Sequence, residues 1–107
     1  DIADQPIVEA LVEHVVDVTR STTLRKDTAY VDTVEHLLSA IAGLEIDNML
    51  IQIDAPEVPI LDGSALPFVK AFQEAGLVNQ GVAKRFFQIN ESVVYNSENK
   101  ETELSVF

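Results

Sequence analysis

The hydrophobic period of the sequence changes at Asp32, and this change limits the folds open to the chain. Within residues 11–19, five of nine residues are β-branched, and Val16 and Val18 alternate with a polar position, which favours a strand. After Asp32, apolar residues recur at the helical spacing i, i+3, i+4, i+7, namely Val34, Leu37, Leu38 and Ile41. We therefore expect strands and helices in the same fold.

The predicted helix carries a start and a stop signal. Asp32 and Glu35 have the spacing of a capping box, in which Asp32 caps the helix and Glu35 reaches back from the third helical position. Gly43 predicts the end of the helix, because glycine adopts the backbone conformation that commonly follows a last helical turn.

Further elements follow from the local patterns. Residues 21–24 either continue the first strand or begin a second, and residues 29–31 and 49–53 are predicted strands, the latter mostly buried. Ser64 is expected to cap a second helix that ends at Gly76. Alternation within residues 87–95 and a polar turn at 96–99 predict a final hairpin. Two amphipathic helices on one face of a sheet make an α+β two-layer sandwich.

Composition excludes several classes of protein. The 107 residues carry 18 Asp and Glu against 7 Lys and Arg, a net charge of −11, so nucleic acid and anionic membrane surfaces are unfavourable partners. Cysteine is absent, which removes disulfides and thiolate metal sites. Apolar runs are too short for a membrane span, so stable membrane insertion is not expected.

Glu35 and His36 are the residues of the first helix best placed for chemistry. On a helical wheel the apolar stripe lies within about 60° of Val34, whereas Glu35 lies at about 100° and His36 at about 200°. Both therefore point away from the core near the positive end of the helix dipole, which favours an ionised Glu35 and a neutral, metal-binding His36. From the pattern alone, a capping glutamate beside an exposed histidine is the more common outcome.

Three other groups have competing interpretations. His14 is more typical of a half-buried structural histidine than of a ligand. Arg20, Arg25 and Lys26 fit a solvated strand end, or else a phosphate contact. The Asp-Gly-Ser sequence at residues 62–64 fits a turn followed by a helix cap, although its amides could also bind an anion.

Two stretches are more specific than these patterns. One reads Thr-Val-Glu-His-Leu-Leu-Ser-Ala-Ile-Ala-Gly-Leu at residues 33–44, followed by Ile-Asp-Asn at 46–48. The other reads Pro-Glu-Val-Pro-Ile-Leu-Asp-Gly-Ser-Ala at residues 56–65, followed by Pro-Phe-Val at 67–69. In this order and spacing the chain resembles UDP-3-O-acyl-N-acetylglucosamine deacetylase, the zinc enzyme of lipid A biosynthesis. Residues 83–87 also resemble the start of that family's second domain.

The resemblance implies two similar α+β domains that pack face to face around the active site. Residues 1–82 would form most of the first domain, without its N-terminal strands, and residues 83–107 would open the second. The sequence begins on Asp1 and ends on Phe107 within a predicted strand, which is the pattern expected of a piece of a longer protein.

The same resemblance implies the chemistry. His36 matches a ligand of Zn²⁺, and Glu35 matches the general base for a zinc-bound water that attacks the acetamide of UDP-3-O-(3-hydroxyacyl)-N-acetylglucosamine. Thr22 and Thr23 match a strand region that lines the substrate site, and Asp62 matches a supporting position. The setting implied is the cytoplasm of a Gram-negative bacterium, where this reaction is the committed step in the biosynthesis of lipid A, a part of lipopolysaccharide.

The resemblance also limits what these residues do alone. The remaining zinc ligands and the general acid belong to the second domain in this family, so the 107 residues by themselves are expected to be inactive. Some members are fused to a hydroxyacyl-carrier-protein dehydratase, which is a further expected partner. Glu45 departs from the family, which often has a second glycine there. A non-catalytic acidic binding module and a purely structural domain stay as alternatives.

Overall fold

The computed structural model describes residues 6–99 and 101–107 and has an α+β fold, as predicted. Three antiparallel strands form one sheet in which each strand pairs with the next along the chain, and two more form a separate antiparallel hairpin. In chain order the elements are a 3-10 turn at Val12–His14, β1 (Val15–Asp17), β2 (Thr23–Lys26), β3 (Ala29–Val31), α1 (Glu35–Gly43), α2 (Leu66–Ala75), β4 (Val93–Asn96) and β5 (Glu103–Val106).

The core lies where the three-stranded sheet meets both helices. Leu24 of β2, Leu37 of α1 and Val58 of the loop before α2 are 5%, 7% and 3% exposed. Because Leu37 is buried, the predicted apolar stripe of α1 is confirmed. Half-buried side chains pack against this cluster from the segment before the 3-10 turn, from β3, from α1 and from α2: Val8, Val31, Leu38, Ile41, Phe68 and Phe72.

The strands of the first sheet are shorter than predicted. Residues 11–19 contain a 3-10 turn and only three residues of strand, because the His14 N–H donates to the Leu11 carbonyl at 3.0 Å and closes a local turn. The second strand lies at Thr23–Lys26, and the predicted strand at Ala29–Val31 is confirmed.

The predicted buried strand at residues 49–53 is wrong. This segment is irregular, and Met49 and Leu50 are 41% and 75% exposed. A strand needs a neighbour for its backbone N–H and C=O groups, and within the described residues no strand is paired with this segment. Apolar composition alone therefore does not produce a strand here.

The second helix and the hairpin agree with their predictions, with shifted ends. Gly76 follows α2 with a φ of 83° and its N–H bonds to the Phe72 carbonyl at 3.0 Å, which is the predicted stop. The final hairpin pairs Val93 with Val106 and Asn96 with Glu103. Its first strand covers residues 93–96 rather than the whole of 87–95.

Two expectations concern features beyond these elements. The assignment of residues 1–82 and 83–107 to two domains stays a prediction, and its first residues, Asp1 to Gln5, lie outside the described part of the chain. Among the helices in the described residues, none combines the length and the apolar character that crossing a membrane demands.

Candidate functional site

The site lies at the N-terminal end of α1, which begins later than the sequence predicts. Thr33 has a φ of 60°, in the left-handed region, so the helix cannot extend back to Asp32 and its N-cap is Val34. No side chain caps the helix, and the predicted capping box is therefore wrong. The Asp32 carboxylate accepts a hydrogen bond from the Thr23 hydroxyl of β2 at 2.6 Å instead.

The start of α1 is held by the backbone of Thr22. The Thr22 N–H donates to Glu35 Oε2 at 2.9 Å, and the Thr22 carbonyl accepts from the Val34 N–H at 3.3 Å. This arrangement is reciprocal, like a capping box, but the partner comes from the residue before β2 instead of from the helix itself. Thr22 was predicted to line the substrate site, and the structure places it directly against Glu35.

The Glu35 carboxylate is held in its ionised form. Partial burial raises the pKa of this carboxyl, but the hydrogen bond from the Thr22 N–H, the N–H of Glu35 itself and the nearby His36 ring together outweigh burial, so that the pKa lies below its ordinary value. An ionised carboxylate can accept a proton, and only Oε2 is engaged by Thr22. This side chain therefore has the protonation state that a general base needs.

A second segment fixes the residues before α1 from the opposite side. Asp32 and Glu57 form a parallel bridge, in which the Asp32 N–H donates to the Pro56 carbonyl at 2.8 Å and the Val58 N–H donates to the Asp32 carbonyl at 3.0 Å. The Thr33 hydroxyl donates to Glu57 Oε1 at 2.7 Å. The two specific stretches of the sequence thus meet here. Sequence reasoning missed Glu57, because its only signal was membership of the second stretch.

His36 presents an imidazole that can serve as one metal ligand. Its side chain is half-buried, and within residues 6–99 and 101–107 it has no hydrogen-bonding partner. In that same part of the chain no three His, Asp or Glu side chains are grouped so that they could hold a metal ion. A neutral imidazole fits Zn²⁺, yet a structural or catalytic zinc site needs three or four protein ligands. His36 therefore fits a shared site and does not complete one.

The other candidates of the first sheet are engaged in ordinary contacts. The Lys26 ammonium bonds to the Glu9 carboxylate at 2.6 Å, and the Arg25 guanidinium lies 5.9 Å from the centroid of the Tyr30 ring. His14 Nδ1 lies 2.8 Å from the Glu9 carbonyl, and its side chain is 19% exposed. These contacts favour the structural interpretation of His14 and the solvated strand end over a phosphate site.

The Asp-Gly-Ser sequence forms a turn that leads into α2. Asp62 Oδ1 accepts from both the Ser64 hydroxyl and the Ser64 N–H, at 2.8 and 3.0 Å, and the Ser64 hydroxyl oxygen accepts from the Leu66 N–H at 3.2 Å. The two bonds from Ser64, the side-chain bond above all, hold the pKa of Asp62 below its ordinary value. Since the Ser64 N–H is already occupied by a carboxylate, the turn is favoured over anion binding. The prediction that Ser64 caps α2 is wrong, because the N-cap of this helix is Ala65 and no side chain caps it.

Comparison with protein families gives one match that spans the chain. The family model described as UDP-3-O-acyl N-acetylglycosamine deacetylase matches residues 1–106. The match includes both specific stretches of the sequence, and so it covers every contact described at the start of α1.

Curated relatives match the chain at comparable levels. A UDP-3-O-acyl-N-acetylglucosamine deacetylase of Saccharophagus degradans is 49% identical over 104 residues, which is 95% of this chain and 34% of that protein. One from Chromohalobacter salexigens is 48% identical over 98 residues, 90% of this chain and 32% of the relative. The bifunctional enzyme LpxC/FabZ of Chlorobaculum tepidum is 41% identical over 104 residues, 97% of this chain and 22% of that protein. The chain thus spans about a third or less of these relatives.

Proposed function

Because the chain belongs to the UDP-3-O-acyl N-acetylglycosamine deacetylase family, we propose that it is part of an enzyme that hydrolyses the acetamide of UDP-3-O-(3-hydroxyacyl)-N-acetylglucosamine to a free amine and acetate. The observation that carries this proposal is the start of α1, where an ionised Glu35 lies next in sequence to a His36 without a hydrogen-bonding partner in the described residues. A base beside a metal ligand is the pairing that metal-assisted hydrolysis requires.

In this proposal Glu35 is the general base and His36 is one ligand of Zn²⁺. When bound, zinc lowers the pKa of a coordinated water and polarises the carbonyl of the substrate. Glu35 receives the proton of the attacking water, and the Thr22 N–H holds its carboxylate in one orientation through Oε2. His36 lies away from the apolar stripe of α1 and is half-buried, so in this proposal its imidazole joins zinc ligands that residues outside this chain would supply.

The proposal has a direct test in the intact protein. Glu35→Ala should lower kcat by about 10²–10⁴-fold, the range typical for loss of a general base, while the zinc content stays at the wild-type level. His36→Ala should reduce the zinc content as well as turnover, since it removes a ligand. Glu74→Ala, an exposed residue of α2, removes the same charge and serves as the control. Wild-type turnover in both site variants would reject these roles.

The 107 residues alone are proposed to be catalytically inactive. His36 supplies one ligand, and no complete ligand set is present in the described residues. Equilibrium zinc binding to this chain should therefore be weak, and nanomolar affinity that disappears in His36→Ala would contradict the proposal.

The setting of the enzyme is also part of the proposal. We place the reaction in the cytoplasm of a Gram-negative bacterium, in lipid A and lipopolysaccharide biosynthesis, with the UDP-sugar as the substrate. A fusion to a dehydratase domain is consistent with the bifunctional relative of Chlorobaculum tepidum, whose name joins two enzymes.

A further inference from the structure

Thr33 has a backbone conformation that a β-branched residue adopts only when its surroundings impose it. Its φ of 60° is unfavourable for an L-residue and most unfavourable for one branched at Cβ. Thr33 is only 6% exposed and lies two residues before the proposed base. The direction in which the chain enters α1, and hence the position of the Glu35 and His36 side chains, depends on this conformation.

The contacts that hold Thr33 come from a segment that follows α1 in the sequence. The bridge between Asp32 and Glu57 fixes the residue before Thr33, and the Glu57 carboxylate accepts the Thr33 hydroxyl at 2.7 Å. Val58, next to Glu57, is 3% exposed and belongs to the core. Because Val58 is held there, the segment around Glu57 would stay in place if Thr33 moved. Glu57 itself is exposed. Its carboxylate is therefore a fixed acceptor that contributes nothing to the apolar core.

We propose that Glu57 is a positioning residue for Glu35 and His36, acting through the hydroxyl of Thr33. Without this acceptor, Thr33 relaxes toward negative φ and the first turn of α1 rotates. The Glu35 carboxylate then leaves the Thr22 N–H, which it now meets at 2.9 Å. Misplacement of a base by an ångström is sufficient to slow catalysis. The effect on catalysis rests on the proposed function. The claim that Glu57 holds Thr33, and so keeps Glu35 bonded to Thr22, does not depend on it.

The first test is steady-state kinetics of the intact protein. Glu57→Ala should lower kcat about tenfold, with KM within about twofold of wild type, because the base is displaced and the substrate contacts are kept. Glu57→Gln should restore most of kcat, since its amide oxygen still accepts the Thr33 hydroxyl. Asp54→Ala, another exposed carboxylate of the same loop, is the matched control and should have the wild-type kcat.

The second test changes Thr33. Thr33→Val keeps the shape and the branched Cβ that disfavours positive φ, but it removes the hydroxyl that bonds to Glu57. Residue 33 should therefore relax, and the variant should reproduce the loss seen in Glu57→Ala. Thr33→Gly accepts a φ of 60° without strain, and adding Glu57→Ala to it should lower kcat by less than about twofold. This non-additivity distinguishes an action through Thr33 from a general structural role.

The third test needs no turnover. The Thr22 amide bonds to the Glu35 carboxylate, so its hydrogen exchange should be at least about fivefold faster in Glu57→Ala and in Thr33→Val. The Leu44 amide, which bonds to the Ala40 carbonyl at 3.0 Å at the far end of α1, should exchange as in wild type.

The outcomes separate the inference from the proposed function. If the wild-type intact protein does not release acetate, the proposed function fails, and the Thr22 exchange alone decides whether Glu57 positions this turn. If the wild type is active, Glu57→Ala must both lower kcat and speed hydrogen exchange of the Thr22 amide. A change in only one of these two quantities, or in neither, overturns the inference. A lower melting temperature with wild-type kcat also overturns it. If Glu57→Ala does not fold, Thr33→Val decides by the same criteria.

Discussion

Replacement of Glu45 by glycine should stabilise the C-terminal end of α1. Glu45 has a φ of 55°, and it follows the C-cap residue of the helix. Its N–H bonds to the Ala42 carbonyl and the Ile46 N–H bonds to the Ile41 carbonyl, each at 3.0 Å. This pair of bonds is the Schellman arrangement, in which the left-handed position is usually glycine.

The size of the effect follows from two opposing terms. A left-handed conformation costs an L-residue about 1–2 kcal/mol, which glycine avoids. The conformational entropy of the unfolded chain is larger with glycine at this position, which offsets about 0.4–1 kcal/mol of this gain. The Glu45 side chain is exposed, so little packing is lost. Glu45→Gly should therefore favour the closed helix end by about 0.5–1 kcal/mol.

Hydrogen exchange measures this local free energy directly in the intact protein. A gain of about 0.5–1 kcal/mol slows exchange of the Ile46 amide by about two- to fivefold, at about 1.4 kcal/mol per factor of ten. Glu45→Gln and Glu45→Ala remove the negative charge near the helix C-terminus but keep a Cβ, so they separate charge from conformation. If Glu45→Ala slows exchange as much as Glu45→Gly, the conformational explanation is refuted.

Three other substitutions test the core, a turn and an ion pair by urea unfolding of the intact protein. Leu37→Ala should destabilise the folded state by about 2–5 kcal/mol, because Leu37 is 7% exposed and its loss leaves a cavity. The bonds from Ser64 lower the pKa of Asp62, so the stability that this carboxylate provides is present above its unfolded-state pKa and is lost as pH falls through its folded-state pKa. Asp62→Asn should remove this acid dependence of the unfolding free energy. An unchanged dependence in the variant would contradict the explanation. Lys26→Ala, which breaks the exposed pair with Glu9, should cost less than about 1 kcal/mol, and the difference should vanish in about 1 M salt.

The parts of the fold that the sequence predicts are those that local spacing decides. The stripe of α1 and the stop at Gly76 depend on residues within two or three turns of one another, and the structure has both. The strand expected at residues 49–53 depends on a neighbour that supplies hydrogen bonds, and the spacing of its own residues contains no information about that neighbour.

The candidate site shows the same division. The placement of Glu35 and His36 on the polar side of α1 follows from their positions relative to Val34, and the half-exposed side chains agree with it. The contacts of Glu35 and Thr33 do not follow from local spacing, because Thr22 and Glu57 are 13 and 24 residues away from them. The roles of Glu35 and His36 in catalysis stay predictions.

The failure of the predicted capping box explains how the site is built. A capping box would place the Glu35 carboxylate over the N-terminal amides of its own helix, where it could not face a substrate. In the structure the left-handed Thr33 makes the helix begin later than predicted, and the Thr22 N–H takes the place of the local partner of Glu35. The hydrogen bonds to the Thr22 backbone therefore hold the first residues of the helix and also orient its proposed base. The contacts at this helix start come from segments on both sides of α1, and Glu57 is exposed, so Glu57→Ala should lower kcat while the melting temperature stays near that of the wild type.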